Sequence, residues 1–149
     1  METVDFMDVA LDEARAAAER GEVPVGAVVV DCGGGVLARA GNRVEANHDP
    51  GAHAEMLAIR DACAIAGEPR IPDCDLYVTL EPCAMCAQVI SAARIRRLYF
   101  GAYDPKSGGV EHGARVFDHA TCHHAPEVYG GINESDAAAL LKSFFAERR

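Results

Sequence analysis

Cys83 and Cys86, three residues apart, and the triplet His53-Ala54-Glu55 about thirty residues upstream are the side chains in this 149-residue chain best suited to chemistry. Residues three apart on a helix project from one face, so both thiolates can hold one tetrahedral ion, at roughly 2.3 Å per sulfur if that ion is zinc. A Cys-x-x-Cys alone has three readings: a redox dithiol, a structural zinc site or a catalytic one. Pro82 before the pair and Ala84-Met85 within it offer no evident aid to thiolate activation, which weakens the redox reading. Structural zinc takes four protein ligands, whereas His53, Cys83 and Cys86 supply three and leave a position for water. Glu55 then stands two residues from a ligand, placed to handle that water's protons. On its own it would read as an acidic residue favoured in a first helical turn. Joined to Pro-Cys-x-x-Cys it reads as a catalytic group.

These side chains need elements to hold them. The apolar run Asp75-Leu76-Tyr77-Val78-Thr79-Leu80 reads as a strand, with Pro82 expected as the first residue of the helix behind it. A second helix is expected from about Ala52 to Ala66, with Met56, Ile59, Cys63 and Ile65 on its buried side and Gly67 past its end. Upstream, residues 4 to 20 have helical apolar spacing, with Thr3 as cap and Gly21 as stop. Val25–Val30 and Val36–Ala40, joined by Gly33-Gly34-Gly35, form an expected hairpin in which Gly26 marks a close approach of helix, backbone or ligand. Polar residues from Asn42 to Pro50 make a loop that can wall a pocket. Further strands are expected at Arg97–Phe100 and Glu127–Tyr129, and a last helix from about Ser135, capped by Asn133 or Ser135, carries Phe144 and Phe145. This order of strands and helices favours a three-layer α/β arrangement with at least one parallel crossover. Residues 101 to 125 show no clean period, and Cys122-His123-His124 matches no standard ligand spacing.

Length and composition suit one domain over residues 1–149, half of them hydrophobic. The N-terminal residues lack the order of a signal peptide and no apolar run has membrane-spanning length, so the expected location is the cytoplasm, without a membrane partner. The other four cysteines are expected as free thiols. The net charge of −9 speaks against a phosphate-rich partner, but eight acidic and only two basic residues fall within positions 1–31, and 12 of the 14 basic residues are arginine.

In carrying His53-x-Glu55 together with Pro82-Cys83-x-x-Cys86, the chain resembles the zinc-dependent cytidine/deoxycytidylate deaminases, and among them the bacterial tRNA adenosine deaminase family. Gly21–Val28, Gly41-Asn42-Arg43, His48-Asp49-Pro50, Leu76–Cys86, Phe100-Gly101-Ala102 and the Phe144-Phe145 helix carry the likeness. The resemblance implies a three-layer α/β/α cytidine-deaminase-like fold with a central mixed five-stranded sheet and one zinc ion (Zn2+) per subunit. It further implies hydrolytic conversion of adenosine to inosine at the wobble position of a tRNA anticodon stem-loop, and a homodimer. Asn42 would hydrogen-bond the purine, Val25, Ala27, His48, Leu80 and the Ala54 backbone would hold the ring, and Asp104 would lie in a loop beside the anticodon. A deaminase of free guanine or cytosine and a zinc-stabilised binding module are the competing readings. Glu81 has no role that the sequence supplies.

Overall fold

The computed structural model describes residues 5–148. Helix α1 (Phe6–Glu19) begins at Asp5, whose carboxylate accepts from the Met7 N–H at 3.0 Å, and ends before Gly21 at a positive φ of 84°. Thr3, expected as the cap, lies outside the described residues. Strands β1 (Gly26–Val30) and β2 (Val36–Gly41) pair antiparallel, and Asp31 folds their turn by accepting from the Gly33 and Gly35 amides, both at 2.9 Å. Helix α2 (Ala54–Ala66), strand β3 (Asp75–Leu80), helix α3 (Ala84–Ala92), strand β4 (Arg97–Ala102), strand β5 (Glu127–Tyr129) and helix α4 (Glu134–Ala146) follow. The sheet order is β2-β1-β3-β4-β5; β1 is antiparallel to both neighbours, and β3, β4 and β5 run parallel. This is the expected mixed five-stranded sheet.

All five residues of β1 are buried because apolar side chains cover both faces of the sheet. Val28 and Val30 pack with Met7, Ala10 and Leu11 of α1 and Ala137 of α4; Ala27 and Val29 pack on the opposite side with Ala58 and Ile59 of α2 and Ala87 and Ile90 of α3. The cross-strand pair Gly26 and Gly41 makes room for α1: a Cβ on Gly26 would run into the Ala10 carbonyl and lie 2.6 Å from the Ala14 nitrogen, and one on Gly41 would lie 2.7 Å from the Glu13 carbonyl. Helix packing therefore explains Gly26.

Four expectations need correction. Helix α3 starts at Ala84 because Cys83 is extended (φ −72°, ψ 173°), so Pro82 precedes the cap instead of opening the helix. Helix α2 likewise starts at Ala54, with His53 as its extended cap. Ile65 is 64% exposed, since the whole last turn of α2, residues 64–66, stands clear of the packed face. Asn133 caps α4 in backbone position only; its side-chain amide reaches instead to Asp5 and Asp8, at 3.5 and 3.4 Å. No helix among the described residues is long and apolar enough to cross a membrane.

Candidate active site

The starts of α2 and α3 meet beyond the carboxyl end of β3, the side of a parallel crossover where ligands commonly bind. His53 and Cys83 are both cap residues, and neither side chain caps its own helix. They turn towards each other instead. His53 Nδ1 lies 3.6 Å from Cys83 Sγ and 3.4 Å from Cys86 Sγ, and the three ligand atoms fall within 4.8 Å of one another. A tetrahedral ion with zinc–sulfur bonds of about 2.3 Å and a zinc–nitrogen bond of about 2.0 Å has nitrogen–sulfur edges of about 3.5 Å, so this donor set fits zinc without rearrangement. Among the described residues no other group of His, Cys, Asp or Glu side chains has such an arrangement. Cys122 instead bonds the His124 carbonyl at 3.1 Å, and the His124 ring the Ile95 carbonyl at 2.7 Å, so that cluster holds backbone.

The electrostatics follow from the geometry. A hydrogen bond from Cys86 and the His53 imidazole pull the Cys83 thiol down to about 4, against the opposing effect of burial. Cys86, which keeps the shared proton, is pushed up by its bond to Cys83 and by burial. The pair thus yields one proton readily and the other only when a cation replaces it. The bond with Cys83 also raises His53. Glu55, 4% exposed, is pushed up to about 7 by burial, with its own backbone amide and nearby His53 opposing.

His53, Cys83 and Glu55 form the floor of a cavity of about 560 Å³, with Cys86 buried behind them. Of the residues expected around a substrate, Asn42, Val25, Leu80 and Asp104 line it. The Asn42 side-chain oxygen accepts from the Ala54 N–H at 2.8 Å, which fixes the start of α2 and leaves the Asn42 amide nitrogen for a ligand. Ala54 and Ala27 are fully buried in the core beneath the cavity, and His48 is exposed on its loop at φ 49°; none of these three is among the lining residues. A second cavity of about 800 Å³ shares Val23, Leu80, Asp104, Ser107 and Arg148 with the first and adds Lys106 and Phe145. Phe144 faces the first cavity with the Arg148 guanidinium 3.5 Å above its ring.

Two buried lining residues escaped the sequence reading. Glu22 accepts from the Glu45 and Ala46 amides at 3.1 and 2.8 Å, holding the loop after Asn42. Glu81 gathers the loop on the other side, residues 104–112. Burial pushes its carboxyl up, but the Asp104, Glu111 and Val110 amides and the His112 ring outweigh burial and hold it below the ordinary carboxylate range. Nothing in the spacing of either glutamate marks it, because the partners are 23 to 31 residues away.

Comparison with known proteins agrees with this geometry. Residues 1–102 match the family model of the cytidine and deoxycytidylate deaminase zinc-binding region. The chain is 58% identical over 148 residues to a tRNA-specific adenosine deaminase of Agrobacterium fabrum, covering 99% of this chain and 97% of the relative. A solved structure from work on A-to-I editing by tRNA:A34 deaminases at the wobble position superposes with a TM-score of 0.89 at 60% identity, covering 91% of this chain and 98% of the other. Guanine deaminase from Bacillus subtilis superposes with a TM-score of 0.66 at 30% identity, covering 99% and 94%.

Proposed function

The chain belongs to the cytidine and deoxycytidylate deaminase zinc-binding family, and on that premise we propose that it deaminates adenosine to inosine at the wobble position of a tRNA anticodon, releasing ammonia. The observation that carries the reading is the three-ligand cluster of His53, Cys83 and Cys86 with Glu55 beside it, on the floor of a cavity that continues into a second one. Zinc held by these three ligands supplies Lewis acidity that lets water ionise near neutral pH.

The chain's own residues do the rest. Glu55 takes one proton of the attacking water and passes it to ring nitrogen N1, then takes the second from the new hydroxyl on C6 and delivers it to the departing amino nitrogen as the C6–N bond breaks; burial sets its affinity for protons near the working pH, as both directions require. The Asn42 amide nitrogen donates to the purine, and Val25 and Leu80 flank the ring. Glu22 and Glu81 keep the flanking loops closed against water. Flanking nucleotides follow the second cavity past Lys106, Phe145 and Arg148, where an aromatic face and two cations suit a base and its phosphates. We place the enzyme in the cytoplasm as a homodimer with one zinc per subunit, on the strength of the family resemblance.

The net charge of −9 and the likeness to a guanine deaminase favour a second reading, a deaminase of a free base. One assay separates them. Purified protein is incubated with an anticodon stem-loop carrying adenosine at the wobble position, with guanine and with cytosine, and inosine and ammonia are measured. Inosine in the stem-loop is expected; ammonia from a free base alone reverses the assignment.

A further inference from the structure

We propose that Glu81 is a positioning residue whose buried carboxylate ties the 104–112 loop, one wall of the cavity, to the turn that carries Cys83. The proposal rests on reading the cavity as the deaminase site. The Glu81 side chain is fully buried. Its Oε1 accepts from the Asp104 amide at 3.0 Å and from the His112 ring at 2.8 Å; its Oε2 accepts from the Val110, Glu111 and His112 amides at 3.2, 2.9 and 3.1 Å. Five donors exceed the roughly four lone-pair sites of a carboxylate. Although it lines the cavity, Glu81 therefore has no acceptor capacity left for substrate or metal.

What those donors belong to gives the residue its purpose. Asp104 and Ser107 line both cavities, and the Asp104 carboxylate shapes that wall by accepting from the Lys106 and Ser107 amides at 3.2 and 2.9 Å. The loop is fastened a second time, one residue along: the Gly109 amide donates to the Pro82 carbonyl at 2.8 Å, and a Cβ on Gly109 would lie 2.5 Å from the Ala84 nitrogen. Glu81 and Pro82 lead directly into Cys83. Substrate wall and metal-bearing turn are thus one hydrogen-bonded unit. Asp104 and His112 lie at opposite ends of a stretch without regular secondary structure, and Glu81 is their common partner.

The test uses zinc-loaded Glu81→Gln. A glutamine keeps one acceptor oxygen and turns its NH2 towards amides that need an acceptor, so the loop is released at one end while size is kept. Expected are unchanged zinc content, exchange of the Asp104, Val110, Glu111 and His112 amides faster by about tenfold or more than in wild type, and KM for the anticodon stem-loop raised about tenfold with kcat within about threefold. Gly108→Ala approaches the same contact from the loop, since its Cβ would run into the Glu81 carboxylate and the Asp104 carbonyl, and should give the same split if Glu81→Gln fails to fold. Wild-type exchange and KM in both variants would overturn the proposal. So would loss of zinc from folded Glu81→Gln, or a fall in kcat with KM unchanged. Zinc content and amide exchange need no substrate, so a wild-type protein silent on the stem-loop would refute the proposed function while leaving the fastening of the loop still decided.

Discussion

The floor and the rim of the cavity are built by opposite means. On the floor, the side chains that could hold a metal sit at helix starts, His53 and Cys83 as caps and Cys86 one turn in, so local backbone geometry aims them. The rim consists of two loops, held by Glu22 on one side and Glu81 on the other. Three buried glutamates line this cavity and meet two fates. Glu22 and Glu81 spend their oxygens on loop amides, which compensates burial; Glu55 has few such partners and is pushed up to about 7. Similar burial therefore leaves two carboxylates tied to loop amides and one free to exchange a proton near neutral pH, according to who donates to them.

The largest expected effects separate roles within the floor. Cys86→Ala leaves two of three ligands, and its zinc content should fall to trace with activity at background. Glu55→Ala should keep its zinc but lose about 10²- to 10⁴-fold in kcat. Metal analysis beside inosine formation reads both. Glu55→Ala with near-normal turnover would remove the distinction between Glu55 and the rim glutamates.

A smaller effect is expected on the rim. Glu22→Gln replaces one acceptor with a donor facing the Glu45 or Ala46 amide, a loss of about 1.5–3 kcal/mol for a hydrogen bond to a charged group. With two donors against five at Glu81, it should raise KM by no more than about tenfold and lower the melting temperature, with zinc and kcat preserved. A fall in kcat at unchanged KM would place Glu22 with the floor.

The same contrast governs what was legible in the sequence. Strand β3 and the β1–β2 hairpin follow from local apolar patterning, and the ligand set from spacing on two helix starts. Pro82 misled about where α3 begins, because the extended backbone that aims Cys83 at His53 displaces the helix by two residues. Residues 101–125 were unreadable for a different reason. Apart from a single 3-10 turn at Val116–Asp118, the end of β4 and a few short turns, they are tied down by long-range bonds, to Glu81, from Gly109 to Pro82 and from the His124 ring to Ile95, and hydrogen bonds across 20 or more residues leave no period. Ala27 and His48 show the limit of transferring a pocket by resemblance: one lies under the cavity and the other out on the loop.

The smallest effect probes the contrast through pH, in metal-free protein. A folded Glu55 pushed up from 4.5 to about 7 binds its proton more tightly than the unfolded chain does. Its contribution to stability is then fully present below 4.5 and is lost as pH rises through about 7. The thiols and His53 titrate as well, so the informative quantity is the difference between wild type and Glu55→Gln, in which this one group no longer ionises. That difference should move against wild type by on the order of 1–3 kcal/mol as pH is raised across the interval, measured by denaturant unfolding at each pH. The rim glutamate Glu81 is held below the ordinary range and so has the opposite sign, its contribution being lost as pH falls through its folded value. A flat difference for Glu55→Gln would mean that the floor carboxylate is compensated as fully as that of Glu81, and burial would then give no ground for proposing Glu55 as the proton carrier.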